Sequence, residues 1–203
     1  MKHVMRTVMF FLAAMAAMAA MVAMPAMAGD GVSVGDTAPD FTLGKSAGNK
    51  VSLSDFEGKI VVLEWLNPDC PFVQRHYKAG TMTNLAAKYD GEGVVWLTIN
   101  STNYMDGAAN AKFKADNSLP YTILVDQSGD VGHLYGAKTT PHMYIIDGNG
   151  RLVYIGAIDD DPRGNKGEPA VNYVSVALDE ILAGDDVTTA ETKPYGCSVK
   201  YKK

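Results

Sequence analysis

The stretch that decides the fold is EWLNPDCPFVQRHY, Glu64 to Tyr77. It begins inside IVVLEWL, residues 60–66, a nearly unbroken apolar run that is typical of a strand covered on both faces. From residue 72 onward, apolar residues recur at helical intervals. Between the two lies a short turn with Cys70, one of only two cysteines in the chain. The stretch therefore predicts a buried strand that passes through a cysteine-bearing turn into a helix.

Strands and helices alternate around this stretch. Helical spacing predicts one helix over 72–89, with Gly80 weakening its middle, and a last helix over 170–183. Residues 44–48 and the tetrapeptide at 147–150 are predicted turns, the second within a β-hairpin. The remaining predictions are strands at 51–53, 93–100, 121–126, 142–147 and 151–158, a helix at 106–117, and a short turn or helix at 129–137. This order predicts an α/β fold whose mixed sheet is parallel in its first part, ends in an antiparallel C-terminal hairpin and carries helices on both faces.

The first 28 residues have the features of a secretory signal peptide. Lys2 and Arg6 precede an uncharged run from Val8 to Met24, and the small-x-small sequence AMA follows at 26–28. A retained membrane anchor is the alternative, but the run is mostly alanine and has no basic flank behind it. We therefore expect cleavage, no stable membrane insertion of the mature chain, and a periplasmic or otherwise extracytoplasmic location.

Length and composition fit one globular domain. The chain has 203 residues, of which 47% are hydrophobic and 20% charged. Loss of Lys2 and Arg6 with the signal leaves 16 basic against 23 acidic residues, a formal charge of −7. A chain this acidic, with no large basic cluster, is a poor partner for nucleic acid. The expected organisation is a signal at 1–28, a domain at 29–184 and a C-terminal tail at 185–203.

Cys70 is predicted at the edge of the sheet where ligands usually bind, beyond the carboxyl ends of the parallel strands. Backbone N–H groups at the start of the following helix favour thiolate over thiol, and the thiolate is the nucleophile. The neighbours Asn67, Pro68, Asp69 and Pro71 are typical of an exposed turn. We therefore expect a reactive thiol, with a buried structural cysteine as the alternative.

Four segments, in order along residues 32–183, resemble the redoxin branch of the thioredoxin-fold proteins. They are VGDTAPDFTL with VSLSDFEGKIVVLEW, the turn NPDCPF, the segment TTPHMYIID and the hairpin GNGRLVYIG. The branch includes peroxiredoxins of the AhpC/TSA type and exported TlpA-like thiol oxidoreductases. The resemblance implies a thioredoxin-like three-layer sandwich. It also implies a cis bond between Thr140 and Pro141 that lies against Cys70, with Pro71 part of the same site. An ordinary turn with a trans bond at Pro141 is the alternative.

The chain departs from both kinds of redoxin at this turn. Cys70-Pro71-Phe72-Val73 lacks the second cysteine of the thioredoxin Cys-x-x-Cys motif. Peroxiredoxins have a proline seven residues and a threonine or serine three residues before their cysteine, where this chain has Leu63 and Asn67. The hydroxyl that would hold peroxide is therefore absent, although the Asn67 amide can still donate a hydrogen bond.

The second cysteine, Cys197, is the candidate for resolving an oxidised Cys70. It lies in KPYGCSVKY, where glycine and proline suit a tail that folds back over the site. Attack of Cys70 on a hydroperoxide or a protein disulfide would give a sulfenic acid or a mixed disulfide, which Cys197 could close. A static disulfide that pins the tail is the alternative. The thiol that donates electrons afterwards is not indicated by the sequence.

Three further side chains are candidates for acid or base roles. If the loop at Pro141 faces the thiol, His142 in its imidazolium form would lower the pKa of Cys70. Glu64, inside an apolar strand, is either a buried carboxylate that carries a proton or a group that reaches the surface. His76 lies about 240° around the helix from Cys70 and is not an obvious base. For His76, His142 and His133, a solvated or packed histidine is the alternative.

The sequence thus predicts an exported thiol oxidoreductase with Cys70 as nucleophile and Cys197 as resolver, and with no cofactor or metal. One rival is a copper carrier of the Sco type, but that family's Cys-x-x-x-Cys motif would need a cysteine where Gln74 stands. In that case Cys70, Cys197 and His142 would bind Cu(I). The other rival is a non-catalytic binding module that retains the fold.

Overall fold

A seven-stranded mixed sheet forms the centre of the molecule. The computed structural model describes residues 31–46, 48–167 and 170–203. The strands are β1 (Thr42–Lys45), β2 (Lys50–Ser52), β3 (Ile60–Trp65), β4 (Val94–Asn100), β5 (Thr122–Val125), β6 (Thr139–Thr140), β7 (His142–Ile146), β8 (Leu152–Gly156) and β9 (Cys197–Ser198). The large sheet has the order β2-β1-β5-β4-β3-β7-β8, and β6 with β9 forms a separate two-stranded sheet.

The large sheet combines parallel and antiparallel pairs. β3 and β5 both run parallel to β4, whereas β7 pairs antiparallel with β3 and with β8. The helices are α1 (Pro71–Lys78), α2 (Thr81–Lys88), α3 (Gly107–Asp116), α4 (Asp130–Tyr135) and α5 (Tyr173–Ala183), with a short 3-10 helix at Leu53–Phe56. The mixed sheet and its C-terminal hairpin confirm the predicted fold class.

Alternation along β3 divides the core into two layers. Val61, Leu63 and Trp65 pack in one layer, to which α4 contributes Val131 and Tyr135. The other layer lies between the sheet and the helices α1, α2 and α5. Its residues include Val62, Leu66, Cys70, Val73, Met82 and Leu178. Because both faces of β3 are covered, its sequence reads as a continuous apolar run.

The helix predicted over 72–89 is two helices. α1 ends at Lys78, and α2 starts at Thr81 after Gly80, which has φ = 71° in the left-handed region. Residues other than glycine disfavour this conformation, so Gly80 breaks the helix rather than weakening it. The result is a short α1 that carries Cys70 at its N-terminal boundary.

Other boundaries also differ from the predictions. Gly44 lies in β1, which pairs with β2 on one side and β5 on the other, and not in a turn. α5 begins at Tyr173 because the Asn172 side chain accepts the Ser175 N–H at 2.8 Å and caps the helix there. The predicted signal at 1–28 lies outside the described residues. None of the helices described between residues 31 and 203 is long and apolar enough to cross a membrane.

The C-terminal tail returns across the domain. The backbone N–H of Thr192 donates to the Ile155 carbonyl at 3.1 Å. A side chain on Gly156 would collide with Thr192, because a Cβ there would lie 2.1 Å from its Oγ1. Further along, the Tyr201 ring fills the space left by Gly132 and its hydroxyl donates to the Ala137 carbonyl at 2.7 Å. The tail is therefore seated on the domain on both sides of Cys197.

Replacing Gly80 with valine should lower the free energy of unfolding by about 1–2 kcal/mol, because a β-branched residue resists the left-handed conformation. Gly80→Asn should cost less, since asparagine tolerates it. Urea unfolding of both variants measures the difference. Equal losses would mean that the conformation of Gly80 does not set the break between α1 and α2.

Candidate functional site

Cys70 occupies the boundary between β3 and α1. It is the N-cap residue of α1, with Pro71 in the first helical turn. Its N–H donates to the Asn67 carbonyl at 3.0 Å, and its own carbonyl accepts the Gln74 N–H at 2.9 Å. Proline at the first helical position has no N–H to leave unpaired, so the sequence Cys-Pro fixes the start of the helix at the thiol.

The turn is more buried than the sequence predicted. Cys70 is 1% exposed and Asn67 is buried with it, while only Asp69 and Pro71 face solvent. The Cys70 Sγ donates to the Thr140 carbonyl at 2.9 Å, so a loop distant in sequence covers the sulfur. The expectation of an exposed turn, drawn from its polar and proline residues, was therefore wrong.

The loop that covers Cys70 also brings in the second cysteine. The peptide bond between Thr140 and Pro141 is cis, as the resemblance implied. β6, which ends at Thr140, pairs antiparallel with β9, and the register places Cys197 opposite Thr140. A Cβ on Gly196 would lie 2.1 Å from the Thr140 carbonyl oxygen, so the close approach requires glycine there. Cys197 and Cys70 consequently meet at Thr140, both as free thiols.

The two thiols differ in acidity. Burial raises the pKa of Cys70, but hydrogen bonds from the Thr140 side chain, the Cys197 thiol and backbone N–H groups more than offset burial and hold the pKa below its ordinary value. Burial, together with the hydrogen bond to Cys70 and its charge, raises the pKa of Cys197 to about 11. Cys70 is therefore the first of the pair to ionise, with the Cys197 thiol as a donor to it.

Glu64 is fully buried on β3, so it does not reach the surface. Its carboxylate accepts hydrogen bonds from the Tyr77 hydroxyl at 3.0 Å and the Trp96 indole at 3.0 Å. Burial raises its pKa to about 7, against the opposing effect of these hydrogen bonds. A group with this pKa can gain or lose a proton near neutral pH.

The histidines do not supply a positive charge to the thiols. His142 is buried, and its Nδ1 accepts the Lys138 N–H at 3.3 Å and lies 3.1 Å from the Tyr144 hydroxyl. Burial, with a contribution from the Lys138 charge, lowers its pKa to about 3. Burial therefore favours the neutral form of His142, which corresponds to the packed histidine that the sequence left open beside the imidazolium.

His76 and His133 are packed side chains. His76 is buried, and its Nε2 lies 3.0 Å from the hydroxyl of Tyr195 in the tail. Burial, partly offset by the charge of Asp159, lowers its pKa to about 4. His133 stacks on Tyr201 with ring centroids 4.0 Å apart. Neither contacts the thiols, in agreement with the view that His76 is not a base for Cys70.

The sequence did not indicate two residues near the thiols. Tyr104, at 55% exposure, donates its hydroxyl to Asp69 at 3.1 Å, and partial burial raises the pKa of this hydroxyl. The Asn67 side-chain oxygen accepts the Asp69 N–H at 2.9 Å, so this turn is held from within. Tyr195 in the tail contacts α1. The only sequence feature that indicated Tyr195 was its position two residues before Cys197.

The residues proposed for copper do not form a cluster. Over the described part of the chain, no group of three or more histidine, cysteine, aspartate or glutamate side chains is placed to hold a metal ion. Cys70 and Cys197 meet at Thr140, whereas the Nδ1 of His142 is engaged by Lys138.

The fold and this site define a class: a thioredoxin-like redox protein with its cysteine at a strand-to-helix junction beside a cis-proline loop. The family model described as the AhpC/TSA family matches residues 34–155. The thiol-disulfide oxidoreductase ResA of Geobacillus thermodenitrificans is 31% identical over 149 residues, which is 73% of this chain and 83% of ResA. The putative chloroplastic peroxiredoxin Q of Oryza sativa subsp. indica is 30% identical over 145 residues, covering 68% of this chain and 64% of that protein.

Solved structures agree with this class. An uncharacterised conserved protein from Geobacillus kaustophilus superposes with a TM-score of 0.77 at 31% identity, over 84% of this chain and 93% of that one. A putative thiol:disulfide interchange protein DsbE from Chlorobium tepidum gives a TM-score of 0.55 at 30% identity, over 61% of this chain and 84% of that one. The chain belongs to the AhpC/TSA family and is a redoxin-type thiol oxidoreductase.

Glu64→Gln should remove a pH dependence of stability. Because the folded pKa of about 7 exceeds the unfolded value of 4.5, the stability present below pH 4.5 is lost as pH rises to about 7. The expected loss is about 3 kcal/mol. Urea unfolding between pH 4 and pH 8 gives the free energy of unfolding of wild type and of Glu64→Gln. The difference between the two should show this loss, because the histidine contributions are the same in both proteins and cancel. Exposed Glu57→Gln is the control, and a difference curve equally flat for both variants would contradict the burial argument.

The Cys197 thiol should contribute to the acidity of Cys70 through its hydrogen bond. Cys197→Ser keeps a donor at that position, whereas Cys197→Ala removes it. The pKa of Cys70 should therefore be higher in Cys197→Ala than in Cys197→Ser. The pH dependence of Cys70 alkylation by iodoacetamide gives both values, and equal values would show that this hydrogen bond has no effect.

Proposed function

We propose that this protein is an exported thiol oxidoreductase in which Cys70 is the nucleophile and Cys197 resolves it. The observation that carries the proposal is the pairing of Thr140 with Cys197, which brings the second thiol to the first. The lower pKa of Cys70 and the raised pKa of Cys197 support this division of roles. Family membership supports the class of chemistry.

In the first step the Cys70 thiolate attacks an oxidised substrate. With a hydroperoxide, an S–O bond forms, the O–O bond breaks, and the leaving oxygen takes a proton, which gives a sulfenic acid. With a protein disulfide, a mixed disulfide forms and one substrate thiolate leaves. In either case the substrate is reduced at the expense of the Cys70 sulfur.

In the second step Cys197 attacks the Cys70 sulfur. A Cys70–Cys197 disulfide forms, and hydroxide or the second substrate thiolate leaves and takes a proton. Because the pKa of Cys197 is raised to about 11, its proton must be removed as it attacks. Glu64, with a pKa of about 7, is the proposed proton carrier through intervening water. An external thiol donor then reduces the pair.

Asn67, Pro71, Thr140 and Pro141 form the environment of the nucleophile in this proposal. The Thr140 side chain and the backbone N–H groups of Val73 and Cys197 favour the Cys70 thiolate. Asn67 and Pro71 fix the turn that presents the thiol. His142, neutral and bonded elsewhere, supports the Pro141 loop and takes no part in proton transfer.

The proposed location outside the cytoplasm rests on the signal-like features of residues 1–28. Both cysteines follow that segment, so cleavage leaves them in the mature chain. An oxidising compartment is where a disulfide between them can form and persist.

The rival function is a structural disulfide between Cys70 and Cys197. The burial of Cys70 favours it, as do the several contacts of the tail, because such a bond would fix the tail on the domain. The reduction potential of the pair separates the two. A structural bond would lie below roughly −300 mV, and a redox-active one above it.

Stopped-flow oxidation of the reduced protein tests the proposal, with hydrogen peroxide and a model disulfide as the two oxidants. Wild type should react rapidly with one of them, and the faster reaction assigns the substrate class. Cys70→Ser should abolish the reaction. Cys197→Ser should retain the first step and accumulate a sulfenic acid or mixed disulfide. A wild-type rate that Cys70→Ser leaves unchanged would overturn the mechanism.

A further inference from the structure

Tyr195 joins the tail to the helix that presents the nucleophile. It lies two residues before Cys197, and its ring packs against Phe72 on α1 with centroids 5.9 Å apart. The Arg75 guanidinium lies 5.8 Å from the same ring. Cys70 is the N-cap of this helix, so one short element touches both the nucleophile and the segment that leads to the resolver.

The Tyr195 hydroxyl has three polar partners from two other parts of the chain. It donates to the Asp159 carboxylate, which follows β8. It accepts from Arg75 Nη2 at 3.3 Å and lies 3.0 Å from His76 Nε2. We call Tyr195, Arg75, His76 and Asp159 the tyrosine clasp. Burial and the Asp159 charge raise the pKa of Tyr195, so its hydroxyl keeps the proton that it donates.

The clasp is itself anchored. Arg75 also donates to the Asp161 carbonyl at 2.9 Å and to the Pro162 carbonyl at 3.1 Å. Asp159 accepts the Asp161 N–H at 2.9 Å. The partners of Tyr195 are therefore also held by bonds to residues outside the tail, which lowers the entropy cost of holding the tail there.

The clasp restricts where Cys197 can lie. Only Gly196 separates Tyr195 from Cys197, and two residues of extended chain span about 6.6 Å. Arg75 and His76 lie about one and a half helical turns after Cys70, a distance of about 8 Å along the axis of α1. With Tyr195 fixed on the side of α1 and Cys197 paired with Thr140, the resolving thiol stays beside the helix N-terminus.

We propose that Tyr195 is a positioning residue for the resolving step: through the tyrosine clasp it holds Cys197 in reach of the oxidised Cys70 sulfur. This rests on the proposed function, in which the Cys197 sulfur attacks Cys70, an S–S bond forms and hydroxide or a substrate thiolate leaves with a proton. Tyr195 touches neither sulfur in this step. Its effect is to raise the effective concentration of one thiol at the other.

The test is the equilibrium of the Cys70–Cys197 disulfide with reduced and oxidised glutathione, quenched by acid and read by mass spectrometry after alkylation. Tyr195→Phe keeps the ring and removes only the hydroxyl. It should lower the effective concentration of Cys197 by about tenfold, as expected for lost hydrogen bonds to charged groups. Tyr89→Phe is the matched control, because the Tyr89 hydroxyl bonds Ser175 and Asp179 and no tail residue.

Thermal unfolding of each variant separates positioning from general stability. Should Tyr195→Phe fail to fold, Asp159→Asn weakens the same clasp and is expected to change the equilibrium in the same direction. If wild type forms the disulfide but the effective concentration of Cys197 is the same in Tyr195→Phe and Asp159→Asn as in Tyr89→Phe, the role of Tyr195 is overturned. The proposed function is then unaffected. A wild type that forms no Cys70–Cys197 disulfide overturns the resolver assignment and the role of Tyr195 with it.

Discussion

The antiparallel pairing of β6 with β9 is the interaction on which the site depends. It places Cys197 opposite Thr140, the residue whose carbonyl accepts the hydrogen bond from Cys70. Without this short ladder, Cys70 would stand alone at the start of α1, with no second thiol in reach. The approach is possible only because Gly196 has no side chain to meet the Thr140 carbonyl. Two hydrogen-bonded residues of the tail therefore change a single cysteine into a pair.

Burial then gives the members of the site different acidities. Burial lowers the pKa of His142 on one face of the sheet and raises that of Glu64 on the other, because each group avoids its charged form. Cys70 is the exception, since its hydrogen-bond donors outweigh its burial. The resulting arrangement has one acidic thiol, one weakly acidic thiol and a carboxyl group that titrates near neutral pH. In the proposed two-step reaction the acidic thiol is the nucleophile, and the carboxyl group takes the proton that the weakly acidic thiol must lose.

The sequence predicted those parts of the fold that local patterns determine. The apolar run of β3, the hairpin of β7 and β8, and Cys70 at the junction with α1 all follow from residues close together in the chain. The burial of Cys70 did not follow, because its cover comes from Thr140 and from a tail far away in sequence. The neutral state of His142 depends likewise on packing that no local pattern encodes. Glycine at position 80 predicts a weakened helix, whereas its left-handed backbone angle shows that the helix ends there.

The measurement that tests this account most directly is amide hydrogen exchange of the reduced protein at the tail. The Val199 N–H donates to the Lys138 carbonyl at 3.1 Å, next to the Thr140–Cys197 pair. The account predicts that this amide exchanges much more slowly than in an unstructured peptide, as do amides of the sheet. Exchange of residues 197–201 at the peptide rate, while β3 and β4 stay protected, would contradict it, because the second thiol would then not be held at the first.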